Sequence, residues 1–100
     1  MNSRSTLPEP FSPKEKLRTQ LEWFAKEMEG KLRKNDHKGG WKSCTLQYLM
    51  MRLTQERKEL NKCVKDKNRD YKQIIDECTD IANFAMMIAD NFHTGEYDEL

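Results

Sequence analysis

Three segments of the sequence repeat apolar residues with the spacing of an α-helix, and this repeat constrains the fold most strongly. Residues 12–35 carry apolar side chains three or four positions apart, and the same spacing returns over 43–64 and 71–92. Such a period places apolar side chains on one helix face, whereas a strand alternates every second residue. The sequence therefore predicts an all-α fold, an antiparallel helical bundle.

Start and stop signals divide the chain around these segments. Ser12-Pro13-Lys14-Glu15 combines an N-cap serine, a proline at the first helical position and a capping-box glutamate. Gly39-Gly40 interrupts the pattern, Ser43 is the candidate N-cap of the second helix, and polar residues 65–70 indicate a turn. We expect a flexible arm at 1–11, a single helical domain at 12–92 and a flexible tail at 93–100.

The stretch Ile81–Ala89 is apolar around nearly its whole circumference. A helix without a polar face must be covered on all sides, and three helices of one chain offer little to cover it. We expect a partner subunit, supplied by self-association as a homodimer or a dimer of dimers. The alternative is a monomer in which this helix is central and buried.

Charge and composition disfavour several classes of partner. Charged residues make up 35% of the 100-residue chain but leave a net charge of +1, which argues against nucleic-acid and membrane binding. No apolar run approaches the ~20 residues that cross a bilayer. The three cysteines (Cys44, Cys63 and Cys78) are widely spaced and contain no C-x-x-C, which favours small core residues in a reducing compartment. We expect a cytoplasmic protein.

Two carboxylate pairs, Glu56-x-x-Glu59 and Glu77-x-x-Asp80, lie in apolar helical segments. Residues three apart project from one side of a helix, so two packed helices would bring four carboxylates together. Four such charges repel each other unless they are protonated, paired or bound to a cation. Oxygen ligands of this kind suit Mg²⁺. A single such pair is usually a solvated helix face, but two pairs on two apolar faces favour a metal site.

The segment from His37 to Trp41 is a candidate substrate loop. It combines a flexible Gly-Gly backbone, the potentially cationic His37 and Lys38, and the indole of Trp41. Such a loop can stack a base and contact phosphate oxygens. The equally weighted alternative is a helix connection in which Trp41 closes the end of the bundle. Asn83, one turn beyond Asp80, is a candidate hydrogen-bonding group for a sugar or base, or else an interface amide.

The residues Gln55-Glu56-Arg57-Lys58-Glu59-Leu60, followed by Asp76-Glu77-Cys78-Thr79-Asp80-Ile81-Ala82-Asn83-Phe84, resemble a known signature. It is the EExxE…ExxD motif of the MazG-like all-α nucleoside triphosphate pyrophosphohydrolases, and the resemblance extends over about residues 35–91. The resemblance implies hydrolysis of a nucleoside triphosphate to the monophosphate and pyrophosphate. Mg²⁺, with Mn²⁺ able to substitute, would be held by the four acidic positions of the motif: Glu56, Glu59, Glu77 and Asp80.

One position departs from that family pattern. Gln55 stands where the family has its first glutamate. An amide oxygen is a neutral acceptor, so Gln55 cannot act as a base and anchors a metal-bound water weakly. This departure keeps a second hypothesis open, a non-catalytic helical interaction protein whose acidic cluster binds a divalent ion or an arginine-rich partner.

Overall fold

The computed structural model describes residues 15–97, which form three α-helices, one short 3-10 helix and no strand. Helix α1 covers Thr19–Lys34, α2 covers Leu46–Lys65 and α3 covers Tyr71–His93, while the 3-10 helix Asp36–Lys38 follows α1. The predicted all-α class is confirmed. The predicted N-terminal arm, residues 1–11, lies outside the described residues.

Helix α3 is the centre of the arrangement. It packs against both α1 and α2, whereas the backbones of α1 and α2 do not approach each other within the described residues. Met28 of α1 contacts Asn83 of α3, and Arg52 of α2 stacks over Phe84. Later residues of α1 and α2 contact earlier residues of α3, so both helices run antiparallel to it. A cleft remains between α1 and α2, with α3 as its floor.

The start of α1 differs from the prediction. The expected cap, Ser12, lies outside the described residues, and the described residues 15–18 are not helical. The helix begins at Thr19, after Arg18, whose side chain makes no capping hydrogen bond. Capping signals are weak without packing, since most helix stability comes from burial of an apolar face. Leu17 and Leu21 are both exposed, so a longer α1 would gain little.

The other two helix starts have side-chain caps. Thr45, not the predicted Ser43, is the N-cap of α2, because its hydroxyl accepts a hydrogen bond from the Tyr48 backbone N–H at 3.1 Å. The predicted turn at 65–70 ends at Asp70, whose carboxylate accepts from the backbone N–H groups of two residues in the first turn of α3. This short connection makes α2 and α3 a helical hairpin.

The fully buried side chains of α3 are polar, whereas the sequence predicted that its apolar stripe would be buried. The three buried side chains of α3 are Thr79, Asn83 and Asn91, and the two asparagine amides donate to the backbone carbonyls of Met28 and Trp41. On the predicted stripe, Tyr71 is 75% exposed and Phe92 41% exposed. Among the described residues, Leu49 is the single fully buried apolar side chain. Much of the apolar surface of the described chain therefore stays uncovered.

The segment after α3 folds back on the loop before α2. The Tyr97 hydroxyl donates to the Cys44 carbonyl at 2.6 Å and accepts from the Asn91 amide at 3.0 Å, and its ring meets Phe92 edge-on. The flexibility predicted for 93–100 stays a prediction, and residues 98–100 lie outside the described part.

All three cysteines are free. None of the described helices is both long enough and apolar enough to cross a membrane.

Candidate metal centre and adjoining cavity

Three carboxylates from two helices converge between α2 and α3. Glu56 projects from α2, and Glu77 and Asp80 project from the same side of α3 one turn apart. One oxygen from each carboxylate lies within 4.8 Å of an oxygen of the others, and all three side chains are partly buried. The structure therefore brings together three of the four acidic residues that the sequence analysis selected.

Glu59 lies outside this group of three. Its side chain is 49% exposed, and Lys62 Nζ lies 3.4 Å from its Oε2. A step of three residues also rotates a side chain by about 60° around the helix. Because Glu56 points into the seam between α2 and α3, that rotation carries Glu59 toward solvent.

Two cations flank the carboxylate cluster, which we define as Glu56, Glu77 and Asp80. Lys31 of α1 places Nζ 3.2 Å from Asp80 Oδ1, and Arg52 of α2 places Nη2 3.0 Å from Glu56 Oε2. Glu77 makes no ion pair among the described residues, and its Oε1 is buried without a hydrogen-bond partner. Two cations facing three carboxylates leave a formal charge of −1 when all the groups are ionised.

The protonation of Glu77 reflects this surplus of negative charge. Burial, followed by a hydrogen bond with Glu56 and the charges of its acidic neighbours, raises the pKa of Glu77 to about 7. Two carboxyl groups can share a hydrogen bond only when one of them keeps its proton. Near neutral pH the Glu77 carboxyl keeps a proton in part of the molecules.

The ion pair between Lys31 and Asp80 does not neutralise the site completely. Burial raises the pKa of Asp80, and the hydrogen bond from Lys31 opposes that rise without cancelling it. Burial lowers the pKa of Lys31, but its contact with Asp80 and the nearby carboxylates outweighs burial and raises it overall. The two directions agree once the other carboxylates are counted, because Glu56 and Asp76 repel Asp80 while Asp76 and Glu77 attract Lys31.

The donors of the cluster suit a hard divalent cation. All three are carboxylates, the ligand type that Mg²⁺ uses in proteins, and Mg²⁺ keeps several waters when few carboxylates bind it. The buried, unpartnered Oε1 of Glu77 is the structural observation that favours a bound cation, since an orphaned acceptor costs about 1–3 kcal/mol. The residues present therefore fit Mg²⁺, with Glu56, Glu77 and Asp80 as the ligands.

A cavity of about 440 Å³ adjoins the cluster in the cleft between α1 and α2. Asp80 belongs to both the cluster and the cavity wall, so the two are continuous. The walls carry three cations and three aromatic rings: Lys31, Lys38, Arg52, Trp41, Tyr48 and Phe84. Volumes of about 300–1,000 Å³ are typical of sites for small ligands. This lining suits a ligand with both a flat apolar part and negative charge.

Trp41 forms the wall of the cavity farther from the cluster. Its indole N–H donates to Asp90 Oδ2 at 3.0 Å, and Lys42 Nζ donates to the same oxygen at 2.5 Å. The hydrogen bonds from Lys42 and Trp41 hold the pKa of Asp90 below its ordinary value. Gly39, whose φ of 93° is unfavourable for other residues, lets the chain turn into this loop. The indole is therefore held by one edge.

The other predicted substrate residues divide into two groups. Lys38 and Asn83 line the cavity, and the Asn83 amide donates to the Met28 carbonyl at 3.2 Å. His37 lies on the 3-10 helix, is exposed and is not among the residues that line the cavity.

Gln55, the residue that departs from the family signature, is exposed, and its Oε1 accepts a hydrogen bond from Arg52 at 2.5 Å.

The two cations that flank the cluster were not predicted from the sequence. Lys31 lies between Met28 and Leu32 on the apolar face of α1, and a cation in that position is itself a signal. Arg52 precedes Glu56 by four residues, the spacing of a helical ion pair. Both signals are common on solvated helices, so they gain meaning only when three helices bring the residues together.

No family model, no curated protein and no solved structure matches this chain. The resemblance to the MazG-like family therefore stays a resemblance of two short motifs. The geometry of the cluster and the chemistry of the cavity carry the proposals that follow.

Proposed function

We propose that this protein is a Mg²⁺-dependent nucleoside triphosphate pyrophosphohydrolase of the all-α, antiparallel-bundle type, acting on a cytoplasmic nucleotide pool. One observation carries the proposal. A three-carboxylate cluster with a buried, unpartnered oxygen opens into a cavity of about 440 Å³ whose walls combine cations with aromatic rings. Mn²⁺ is the expected substitute for Mg²⁺.

The length of the cavity suits a nucleotide that lies along α3. Asp90, which holds the Trp41 indole, follows Asp80 by ten residues, or about 15 Å along the helix axis. A triphosphate group directed at Asp80 would leave the base near Trp41. An aromatic face can stack any base, so Trp41 provides affinity with little base selectivity.

The residues of the cluster have defined tasks in this reaction. A divalent ion held there would stabilise charge on the phosphates and lower the pKa of a bound water. Glu56, Glu77 and Asp80 would hold the ion, and a carboxylate oxygen of this cluster that does not bind the ion could accept a proton from the attacking water. Glu59 would join only after a side-chain rotation, because its present partner is Lys62.

Self-association completes the proposal as a homodimer or a dimer of dimers. Several large apolar side chains of the described chain are more than two-fifths exposed, including Leu21, Met50, Met51 and Phe92. Burial of such surface is the main driving force for association. No nucleic acid and no membrane takes part in this proposal.

A second function stays open because two observations favour it. Lys31 and Arg52 already pair with Asp80 and Glu56, and Gln55 replaces the first glutamate of the family signature. Such pairs also occur in a protein that binds an ion or an arginine-rich partner without catalysis. Catalytic turnover distinguishes this non-catalytic helical interaction protein from the enzyme.

The test is pyrophosphate release from a panel of ribo- and deoxynucleoside triphosphates, with Mg²⁺ or with EDTA. We expect release of pyrophosphate and a nucleoside monophosphate only with the metal, and a loss of at least about 100-fold in kcat for Asp80→Asn. Glu27→Gln is the matched control, because Glu27 is an exposed carboxylate of α1. Absence of turnover with every triphosphate would reject the enzyme and leave the interaction protein.

A further inference from the structure

Lys31 and Arg52 line the cavity from opposite walls, and each contacts one carboxylate of the cluster. We propose that these two cations exchange partners. Without a divalent ion they neutralise Asp80 and Glu56, and once an ion occupies the cluster they bind the polyphosphate of the ligand. This inference rests on the proposed function and adds a phosphate-binding site and an order of binding to it.

Formal charge gives the reason for the exchange. When the three carboxylates are ionised, they and these two cations sum to −1, so the metal-free cluster gives an anion that enters the cavity no net attraction. One divalent ion changes the sum to +1. The site then attracts a polyphosphate, and the carboxylates, now bound to the ion, hold Lys31 and Arg52 less strongly. The ion therefore binds first and the polyphosphate second.

The geometry allows both cations to change partner without a movement of the helices. Lys31 has three N–H donors on a flexible chain, and its ammonium is 3.2 and 3.3 Å from the two Asp80 oxygens. The Arg52 guanidinium is held over the Phe84 ring at 5.0 Å, beside the cavity, and only two of its five N–H donors serve Gln55 and Glu56. The remaining donors are available to phosphate oxygens.

The chain supplies a matched control for each cation. Arg33, two residues after Lys31 on α1, pairs with Glu29, and Lys65 is an exposed residue at the end of α2. Neither Arg33 nor Lys65 lines the cavity. Loss of charge at these positions changes net charge as the cavity variants do, but removes no proposed contact with phosphate.

The test is titration calorimetry of wild type, Lys31→Met and Arg52→Met with Mg²⁺ alone, and then with inorganic tripolyphosphate in excess Mg²⁺. For Lys31→Met we expect Mg²⁺ to bind about 2- to 5-fold more tightly, because a competing cation is gone. We expect tripolyphosphate to bind about 10- to 100-fold more weakly, because a charge-assisted hydrogen bond is lost. Arg52→Met should change in the same two directions, and Lys31→Arg should restore tripolyphosphate binding.

The opposite signs separate partner exchange from a structural role. If Lys31→Met and Arg52→Met bind both probes as Arg33→Met and Lys65→Met do, the exchange is rejected while the metal site and the proposed function stand. If both affinities fall together, the cations only support the fold and the exchange is again rejected. If wild type binds neither Mg²⁺ nor tripolyphosphate, the proposed function falls and this inference falls with it.

Discussion

Among the described residues, Glu77 combines a raised pKa with a buried carboxylate oxygen that has no hydrogen-bond partner. Its carboxyl group is partly buried, faces two other carboxylates and has no cation as a partner among the described residues. Structural carboxylates in helical bundles are usually paired or exposed. A residue kept in this environment costs stability, and a bound cation would offset that cost.

The pH dependence of stability tests the environment of Glu77 without any metal. Its folded pKa of about 7 lies above the ordinary value of 4.5, so the folded protein keeps a proton that the unfolded chain releases. Stability should therefore fall as pH rises through this window and level off above it. In EDTA, Glu77→Gln and wild type should melt together near pH 5, and the variant should melt higher near pH 8. A constant difference in melting temperature across this range, equal to that of Glu27→Gln, would contradict the assignment.

Trp41 should contact the base of the bound nucleotide. In a Trp23→Phe background, which removes the other tryptophan, indole fluorescence should change when a non-hydrolysable triphosphate is added with Mg²⁺. Stacking contributes about 1–3 kcal/mol per base, so Trp41→Ala should raise KM by about 5-fold or more and Trp41→Phe by less. If both substitutions leave KM unchanged, the loop is only a helix connection.

At the scale of the helices, the sequence predicted what depends on local pattern. The helical period gave three helices, and the polar run before Asp70 gave the turn between α2 and α3. The predicted start of α1, with its cap at Ser12, was wrong. A capping box stabilises a helix end only weakly unless the first turn also packs against the rest of the protein. The burial of Asn91 was not predicted. It depends on a hydrogen bond from the Asn91 amide to the Trp41 carbonyl, 50 residues away in sequence, which no local pattern indicates.

The candidate site was predictable to a similar degree. Spacing on one helix placed Glu77 with Asp80, and the apolar faces brought Glu56 toward them. The separation of Glu59 from the cluster was missed, because it depends on how α2 is rotated against α3. That rotation is set by tertiary packing, which no single helical pattern contains.

The N-cap of α2 offers a direct test at this scale. Because the Thr45 hydroxyl accepts from the Tyr48 backbone N–H, Thr45→Ala should lower the free energy of unfolding by about 1 kcal/mol. Ser43→Ala, at the position that the sequence favoured, should change it by less than about 0.5 kcal/mol. Urea denaturation measures both, and a larger loss for Ser43→Ala would place the cap at the earlier residue.

At the scale of the whole molecule, the described residues leave many large apolar side chains exposed. Only Leu49 is fully buried among the apolar side chains of the described chain, while Tyr71 and Phe92 of the central helix are exposed. A domain of about 100 residues buries a modest share of its surface even when it is well packed. A second copy would supply the missing cover.

The mass in solution tests this expectation. Light scattering on the purified protein at micromolar concentration should give two or four times the chain mass of 11.9 kDa. Dilution should not produce a monomer before unfolding begins, because small subunits of this kind depend on their interface for stability. A monodisperse mass near 11.9 kDa would contradict self-association.

A metal site formed by Glu56, Glu77 and Asp80 is the basis of the proposed function. Thermal melts of wild type and Glu77→Gln, each in EDTA and in millimolar Mg²⁺ near pH 8, test it directly. We predict that the variant melts at the same or a higher temperature in EDTA, because it lacks one repelling charge. With Mg²⁺ the order should reverse, since a ligand at a hundredfold excess over its Kd stabilises the folded wild type by about 2.7 kcal/mol. A variant less stable in both conditions, with no Mg²⁺-dependent shift in wild type, would show that these carboxylates are structural and would remove the basis of the proposed enzyme.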